Sequence, residues 1–275
     1  YTSRKTPIFL NDGLGKYSWD TINTLLQTQC QYIKLLDLDG DGDLDIIHEG
    51  LNDETVSPAL YLNDDFGNFT LVENSPFHKD ADRLVFGDID QDGDYDIYSA
   101  SMKTFFQQDS TLKFTRLKNS VVYYGNSTFS SSNLLEDIDG DGDLDLITIG
   151  SINPGMNHSH IYLNDSNNFK RAFKNLGPYS GKAFIEDIDM DGDMDIFISG
   201  SHIDNGAETL IYWQDSLGNF VKDSLNDWSN LHGAGASLLD TDGDGDLDLT
   251  FATFVYFQYY SNYLGYNQTL LYENN

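Results

Sequence analysis

The stretch "DLDGDGDLD" at residues 37–45 packs five aspartates into nine positions, and related nonapeptides begin at Asp88, Asp137, Asp187 and Asp240. The spacings are 51, 49, 50 and 53 residues. A period near fifty restricts the chain to a repeat architecture, because each repeat must be a supersecondary unit that buries its apolar face against its neighbours. A second motif recurs between the acidic stretches: "IFLNDGLGKY" (8–17), "LYLNDDFGNF" (60–69), "FFQQDSTLKF" (105–114), "IYLNDSNNF" (161–169) and "IYWQDSLGNF" (211–220). Apolar runs around a polar turn give each the signature of a β-hairpin.

Each period therefore parses into four short strands. In the first full one, strand A is 32–37, strand B 44–50, strand C 59–63 and strand D 69–73, with the acidic loop between A and B. Only "TINTLLQTQC" (21–30) offers a weak helical alternative. Four-stranded meanders repeated about an axis make a β-propeller, in which radial repetition leaves only short strand edges. The expectation is an all-β propeller of four-stranded antiparallel blades in one domain over 1–275, with repeats at 31–73, 82–117, 131–172, 181–223 and 234–275 and a partial blade at 1–20. Five blades follow from five A–B pairs. The unmatched strands at 8–20 and 269–275 leave open a window cut from a six- or seven-bladed propeller, or pairing with another molecule.

Five carboxylates so close together repel one another unless a cation sits among them. In the first loop Asp37, Asp39 and Asp41 can aim oxygens at one point, Gly42 permits the turn, Asp43 can offer its carbonyl, and Asp45 closes the shell. That alternation resembles the start of an EF-hand loop, with the last ligand brought forward. The same roles fall to Asp88, Asp90, Asp92, Asp94 and Asp96; to Asp137, Asp139, Asp141, Asp143 and Asp145; to Asp187, Asp189, Asp191, Asp193 and Asp195; and to Asp240, Asp242, Asp244, Asp246 and Asp248. All-oxygen ligands favour calcium over zinc or copper, with about five ions expected, one per repeat. Five equivalent copies argue for a structural rather than a catalytic ion.

With the strands that follow them, "LDIIHEG", "LDLITIG" and "MDIFISG", these loops resemble the FG-GAP and VCBS repeats of integrin α-chain propellers, secreted bacterial proteins and some fungal lectins. The resemblance implies calcium at the A–B loops on one face of a propeller. It implies no single activity, because the family spans receptors, lectins and domains attached to enzymes. Only "VFGDID" (85–90) keeps the letters F and G before the loop, so the likeness is closer to the bacterial VCBS type.

The net charge is −30, and twenty-five of the 45 acidic residues lie in the nonapeptides. Such a chain is not expected to bind nucleic acid or an anionic membrane surface. No apolar run reaches the length of a membrane helix. The single cysteine, Cys30, cannot form an intrachain disulfide.

Variable B–C and D–A loops opposite the acidic loops are the expected binding face. Candidate ligand-binding aromatics are Tyr123, Tyr124, Trp228 and the cluster Tyr256, Tyr259, Tyr260 and Tyr263 in the long B–C connection 253–268. Flat rings beside Asn, Ser and Gly suit a sugar or a protein surface. Phe77, Tyr179 and Trp228 can instead wedge between blades. Sequons at Asn68, Asn126, Asn157, Asn164 and Asn267 mark possible N-glycosylation in a secretory setting. No nucleophile motif, phosphate loop or HExxH occurs. The expected function is an extracellular or cell-surface, non-enzymatic calcium-stabilised module for adhesion to a glycan or protein, with self-association through incomplete terminal blades. A polysaccharide lyase or glycoside hydrolase, or a spacer domain of a larger secreted protein, is the alternative.

Overall fold

A computed structural model describes residues 7–23, 25, 29–51, 58–77, 81, 83–109, 112–118, 129–153, 156–157, 159–174, 176, 180–202, 206–224, 233–259 and 262–272. Among these residues every regular element is a β-strand and every pairing is antiparallel. The chain divides into two compact units, Tyr1–Val121 and Val122–Asn275.

The first unit holds a two-stranded hairpin, β1 (Phe9–Asn11) and β2 (Tyr17–Trp19), and two four-stranded meanders. One runs β3 (Gln29–Leu36), β4 (Asp45–Leu51), β5 (Ala59–Leu62) and β6 (Thr70–Leu71). The next runs β7 (Leu84–Gly87), β8 (Asp96–Ser99), β9 (Thr104–Asp109) and β10 (Lys113–Arg116). These are the expected blade-like A–B–C–D sheets.

In the second unit, β11 (Phe129–Glu136), β12 (Asp145–Asn153), β14 (His160–Leu163) and β15 (Lys170–Lys174) form one meander, with the short β13 (Met156–Asn157) paired to β12. A further four-stranded sheet contains β16 (Ser180–Glu186), β17 (Asp195–His202), β18 (Gly206–Gln214) and β19 (Phe220–Lys222). The last sheet has three strands, β20 (Gly233–Leu239), β21 (Asp248–Tyr259) and β22 (Asn262–Tyr272).

The second strand of each four-stranded meander is covered on both faces. In β17, Ile196 and Ile198 point into a cluster with Ile147, Ile149, Ile161 and Ala183, whereas Phe197 between them joins Ile188, Ile211 and Leu249. In β4, Ile47 packs with Leu38, Leu60 and Leu84, while Ile46 meets Leu25, Ala59 and Tyr61. A period of two thus places alternate residues in two different cores. A polar link joins the two meanders of the first unit: the buried Glu49 carboxylate accepts the Leu84 backbone N–H at 3.2 Å.

Phe77 wedges between those meanders as expected, against Phe86 (6.3 Å between ring centres) and Phe114 (5.7 Å). Phe77→Ala should cost about 3–5 kcal/mol in urea unfolding. Tyr179 and Trp228 lie outside the described residues.

The weak helical alternative and one loop reading need correction. The segment 21–30 carries no helix among its described residues; Asp20 caps the backbone N–H groups of Ile22 and Asn23, and Gln29 and Cys30 already open β3. The connection 253–268 is not a long loop, since β21 and β22 pair without a break from Leu249↔Tyr272 to Tyr259↔Asn262. β17 and β18 also pair as far as His202↔Gly206, and β12 runs on to Asn153. β-Branched and aromatic residues in these connections prolong the ladder.

Candidate metal centres

Each acidic nonapeptide links the first strand of a sheet to the second, and its ninth aspartate is the first residue of the second strand. Burial there is nearly complete: Asp45, Asp96, Asp145, Asp195 and Asp248 are exposed by 1% or less. A buried carboxylate needs partners, and the backbone supplies two. One oxygen accepts the N–H of the loop's second residue: Leu38 (3.0 Å), Ile89 (3.1 Å), Ile138 (2.9 Å), Ile188 (3.1 Å) and Thr241 (2.9 Å). The other accepts an N–H from the end of the third strand: Asn63 (3.0 Å), Gln108 (2.8 Å), Asn164 (2.7 Å) and Gln214 (2.9 Å). In these four sheets the ninth aspartate therefore ties three segments together.

The first aspartate shapes the turn. Its carboxylate accepts the N–H of the sixth-position glycine, from Gly42 to Asp37 (2.9 Å), Gly93 to Asp88 (3.0 Å), Gly142 to Asp137 (3.0 Å), Gly192 to Asp187 (3.1 Å) and Gly245 to Asp240 (3.2 Å). Those glycines have φ between 94° and 102°, which side chains disfavour. An added Cβ at Gly142 would meet nothing within 4 Å, so Gly142→Ala tests the backbone alone. It should cost about 1–3 kcal/mol by thermal or urea unfolding.

The fourth position carries a rule that the sequence hid. All five fourth residues are left-handed: Gly40 (75°), Gln91 (59°), Gly140 (73°), Met190 (59°) and Gly243 (84°). Three glycines in five were the available signal.

The carboxylates converge. Ligand atoms lie within 4.8 Å of one another for Asp88, Asp90 and Asp96; for Asp137, Asp139 and Asp145; for Asp187, Asp189 and Asp195; and for Asp240, Asp242 and Asp248. In the first loop the converging set is Asp37, Asp39 and Asp41. Positions one, three and nine thus come together in four loops, and position five replaces nine in the first. The remaining fifth-position residues, Asp92, Asp141, Asp191 and Asp244, accept the N–H of the seventh residue, as Asp41 also does.

The seventh-position side chains stand outside these sets. Asp143 accepts the Ser166 N–H in the neighbouring hairpin turn at 3.1 Å, and Asp43 accepts that of Asp65. Asp94, Asp193 and Asp246 also lie outside the converging sets. The amide residues Asn63, Gln108, Asn164 and Gln214 are the contributors that sequence reasoning missed. Their signal was the recurring Asn/Gln-Asp pair in the hairpin motif.

Electrostatics show what the loops lack. Burial, reinforced by neighbouring aspartates, pushes the carboxyl of Asp96 up to about 7 and those of Asp145 and Asp195 to about 6, despite the two backbone N–H groups pulling each down. Partial burial and adjacent carboxylates also raise Asp39, Asp90, Asp139 and Asp189. Within the clusters, Asp37 Oδ1 and Asp187 Oδ1 are buried without any hydrogen-bond partner. A hard cation answers both the repulsion and the orphaned oxygens, so these residues fit an oxygen-ligated divalent ion.

Residues 137–198, from the third acidic loop through the fourth, match the FG-GAP-like repeat family. The FG-GAP-like match begins on Asp137, the first residue of its loop, and ends within β17. The three acidic stretches outside the match, beginning at Asp37, Asp88 and Asp240, share the spacing of aspartates and glycine. No curated protein matches the chain. Eleven chains of solved structures do, among them one from the Photorhabdus luminescens Tc holotoxin pore with a mutated TccC3, at 15% identity and TM-score 0.44. That likeness covers 96% of this chain and 12% of the toxin chain.

Three of the seven candidate ligand-binding aromatics fall in described strands. Tyr123, Tyr124, Trp228 and Tyr260 lie outside the described residues, while Tyr256 and Tyr259 fall in β21 and Tyr263 in β22. Of the sequons, Asn68 is exposed at a hairpin turn, where its amide donates to Asp64. Asn164 is only 2% exposed and cannot accept a glycan in this fold. Asn126 lies outside the described residues, Asn157 is in β13 and Asn267 in β22.

Proposed function

We propose that this protein is a non-enzymatic, extracellular binding module whose sheets are held by calcium at their acidic loops. The observation that carries the metal reading is the convergence of three carboxylates in every loop, with buried, partnerless oxygens on Asp37 and Asp187. Calcium supplies charge neutralisation and coordinates several oxygens at once; multi-aspartate sites of the extracellular type fill at millimolar concentrations. The chain's part is to hold the first carboxylate in place through the Gly42-type N–H and the ninth through the Leu38-type N–H.

The tyrosine-rich β21–β22 hairpin supports adhesion to a glycan or protein, because aromatic rings beside Asn and Gly suit both. The sheet edges left by the two-stranded β1–β2 and three-stranded β20–β22 sheets support self-association by strand addition. Calcium titration calorimetry should give about five equivalents, and a glycan array with and without calcium should show retention only with it. Heat changes no larger than those of magnesium at equal concentration, together with a blank array, would count against the proposal. Sedimentation over a concentration series should show a rising mass if the edges associate.

A further inference from the structure

The four amide residues at the ends of third strands do not behave alike. Asn63 donates its side-chain amide to Leu44 O at 3.2 Å, and Gln214 Oε1 accepts the Met194 N–H at 2.9 Å; each contacts its own loop. Gln108 reaches instead into the neighbouring sheet, where its Nε2 donates to the Leu38 carbonyl at 3.0 Å. Leu38 is the second residue of the first acidic loop, and its N–H donates to Asp45 at 3.0 Å. The backbone N–H of Gln108 meanwhile donates to Asp96 of the second loop at 2.8 Å. An unbroken hydrogen-bonded path therefore runs Asp45, Leu38, Gln108, Asp96.

We infer that Gln108 is a positioning residue that couples cation binding in the first acidic loop to cation binding in the second. This inference rests on the calcium reading of the loops. The path is sealed: Leu38 is 1% exposed and Gln108 6% exposed, with Ile47, Leu60, Leu84, Ile97 and Phe106 in the same core as Leu38. Water cannot readily replace a link buried among such side chains, so breaking it leaves the Leu38 carbonyl unsatisfied. A cation that fixes Asp96 also fixes the end of β9, which holds Leu38, the residue between the converging carboxylates of Asp37 and Asp39. The second ion then has less left to order and binds more tightly. Thermodynamic linkage makes the effect reciprocal, with one factor in both directions.

The test uses the full chain labelled with 15N-glycine and titrated with calcium alone. Gly42 and Gly93 N–H groups touch Asp37 and Asp88, so their resonances report the first and second loops separately. Disabling the second loop with Asp90→Asn and Asp92→Asn should raise the Gly42 midpoint about fivefold. Disabling the first with Asp39→Asn and Asp41→Asn should raise the Gly93 midpoint by the same factor. Gln108→Met keeps the backbone N–H but removes the donor to Leu38, and in that background both shifts should vanish.

Should Gln108→Met fail to fold, the Gln108 side-chain amide resonance of uniformly labelled wild-type protein serves instead, and it should move as each loop fills. A Gly42 midpoint indifferent to the second loop, or a shift that survives Gln108→Met, overturns the coupling while leaving calcium binding intact. If neither glycine resonance moves with calcium, the metal reading falls and the coupling with it.

Discussion

Chelation of calcium should lower the melting temperature by more than about 10 °C. A site filled at a hundred times its dissociation constant adds about 2.7 kcal/mol, and in a chain of this size each kcal/mol is worth about 2–4 °C. Two or three such sites are enough to reach the threshold. The direction follows from the loops themselves. Without a cation, three carboxylates stay within 4.8 Å of one another, and the buried oxygens of Asp37 and Asp187 have no partner. Differential scanning calorimetry at calcium about a hundred times the calorimetric dissociation constant, and again in excess EGTA, measures the drop. Equal melting temperatures would remove calcium from the account of stability. Magnesium should restore less of the loss, because it dehydrates reluctantly and suits an all-protein cage poorly.

Asp145→Ala should destabilise the protein by about 2–5 kcal/mol with or without calcium, because two roles are lost together. The Ile138 and Asn164 N–H groups lose their buried acceptor, and each orphaned donor costs about 1–3 kcal/mol. The loop also loses a converging carboxylate. Asp141→Asn in the same loop separates these effects. Asp141 is exposed and outside the converging set, so its replacement should leave metal-free stability within about 0.5 kcal/mol. Urea unfolding of both variants in EGTA gives the comparison; equal losses would mean that Asp145 is a metal ligand without a separate structural role.

The acidic loops were legible because five aspartates and one glycine kept their spacing through every repeat, and nothing but a shared loop conformation explains that regularity. The separate duties of the aspartates were not legible. Asp43 and Asp45 look alike in sequence, yet one accepts an N–H in a solvent-facing hairpin turn and the other closes a buried junction of three backbone segments. Chain direction and strand pairing decide this, and neither is written in the spacing. Gln91 and Met190 concealed a left-handed position because a side chain can be held there when the surrounding loop enforces it.

The length of β21 was missed for a different reason. "TFATFVYFQY" has the β-branched and aromatic composition of a strand, but the shorter strands of the other repeats set the expected boundary. The four-strand order of each complete blade was readable from alternating apolar runs and hairpin turns. Which core each alternate residue entered became visible only when neighbouring sheets were in place, as for Ile196 and Phe197.

The ninth aspartate also acts as an alignment mark. Sliding the second strand by a single residue would turn Ile46 toward the place of a carboxylate and drive Asp45 onto the opposite side of the sheet, so every misaligned ladder announces itself as a charge in oil. The same mark is stamped on each repeat, however, and it says where a strand must start without saying which strand it is. A nascent chain is thus protected against slippage but not against borrowing the corresponding strand from another repeat, and only the differing side chains of the cores can correct that mistake.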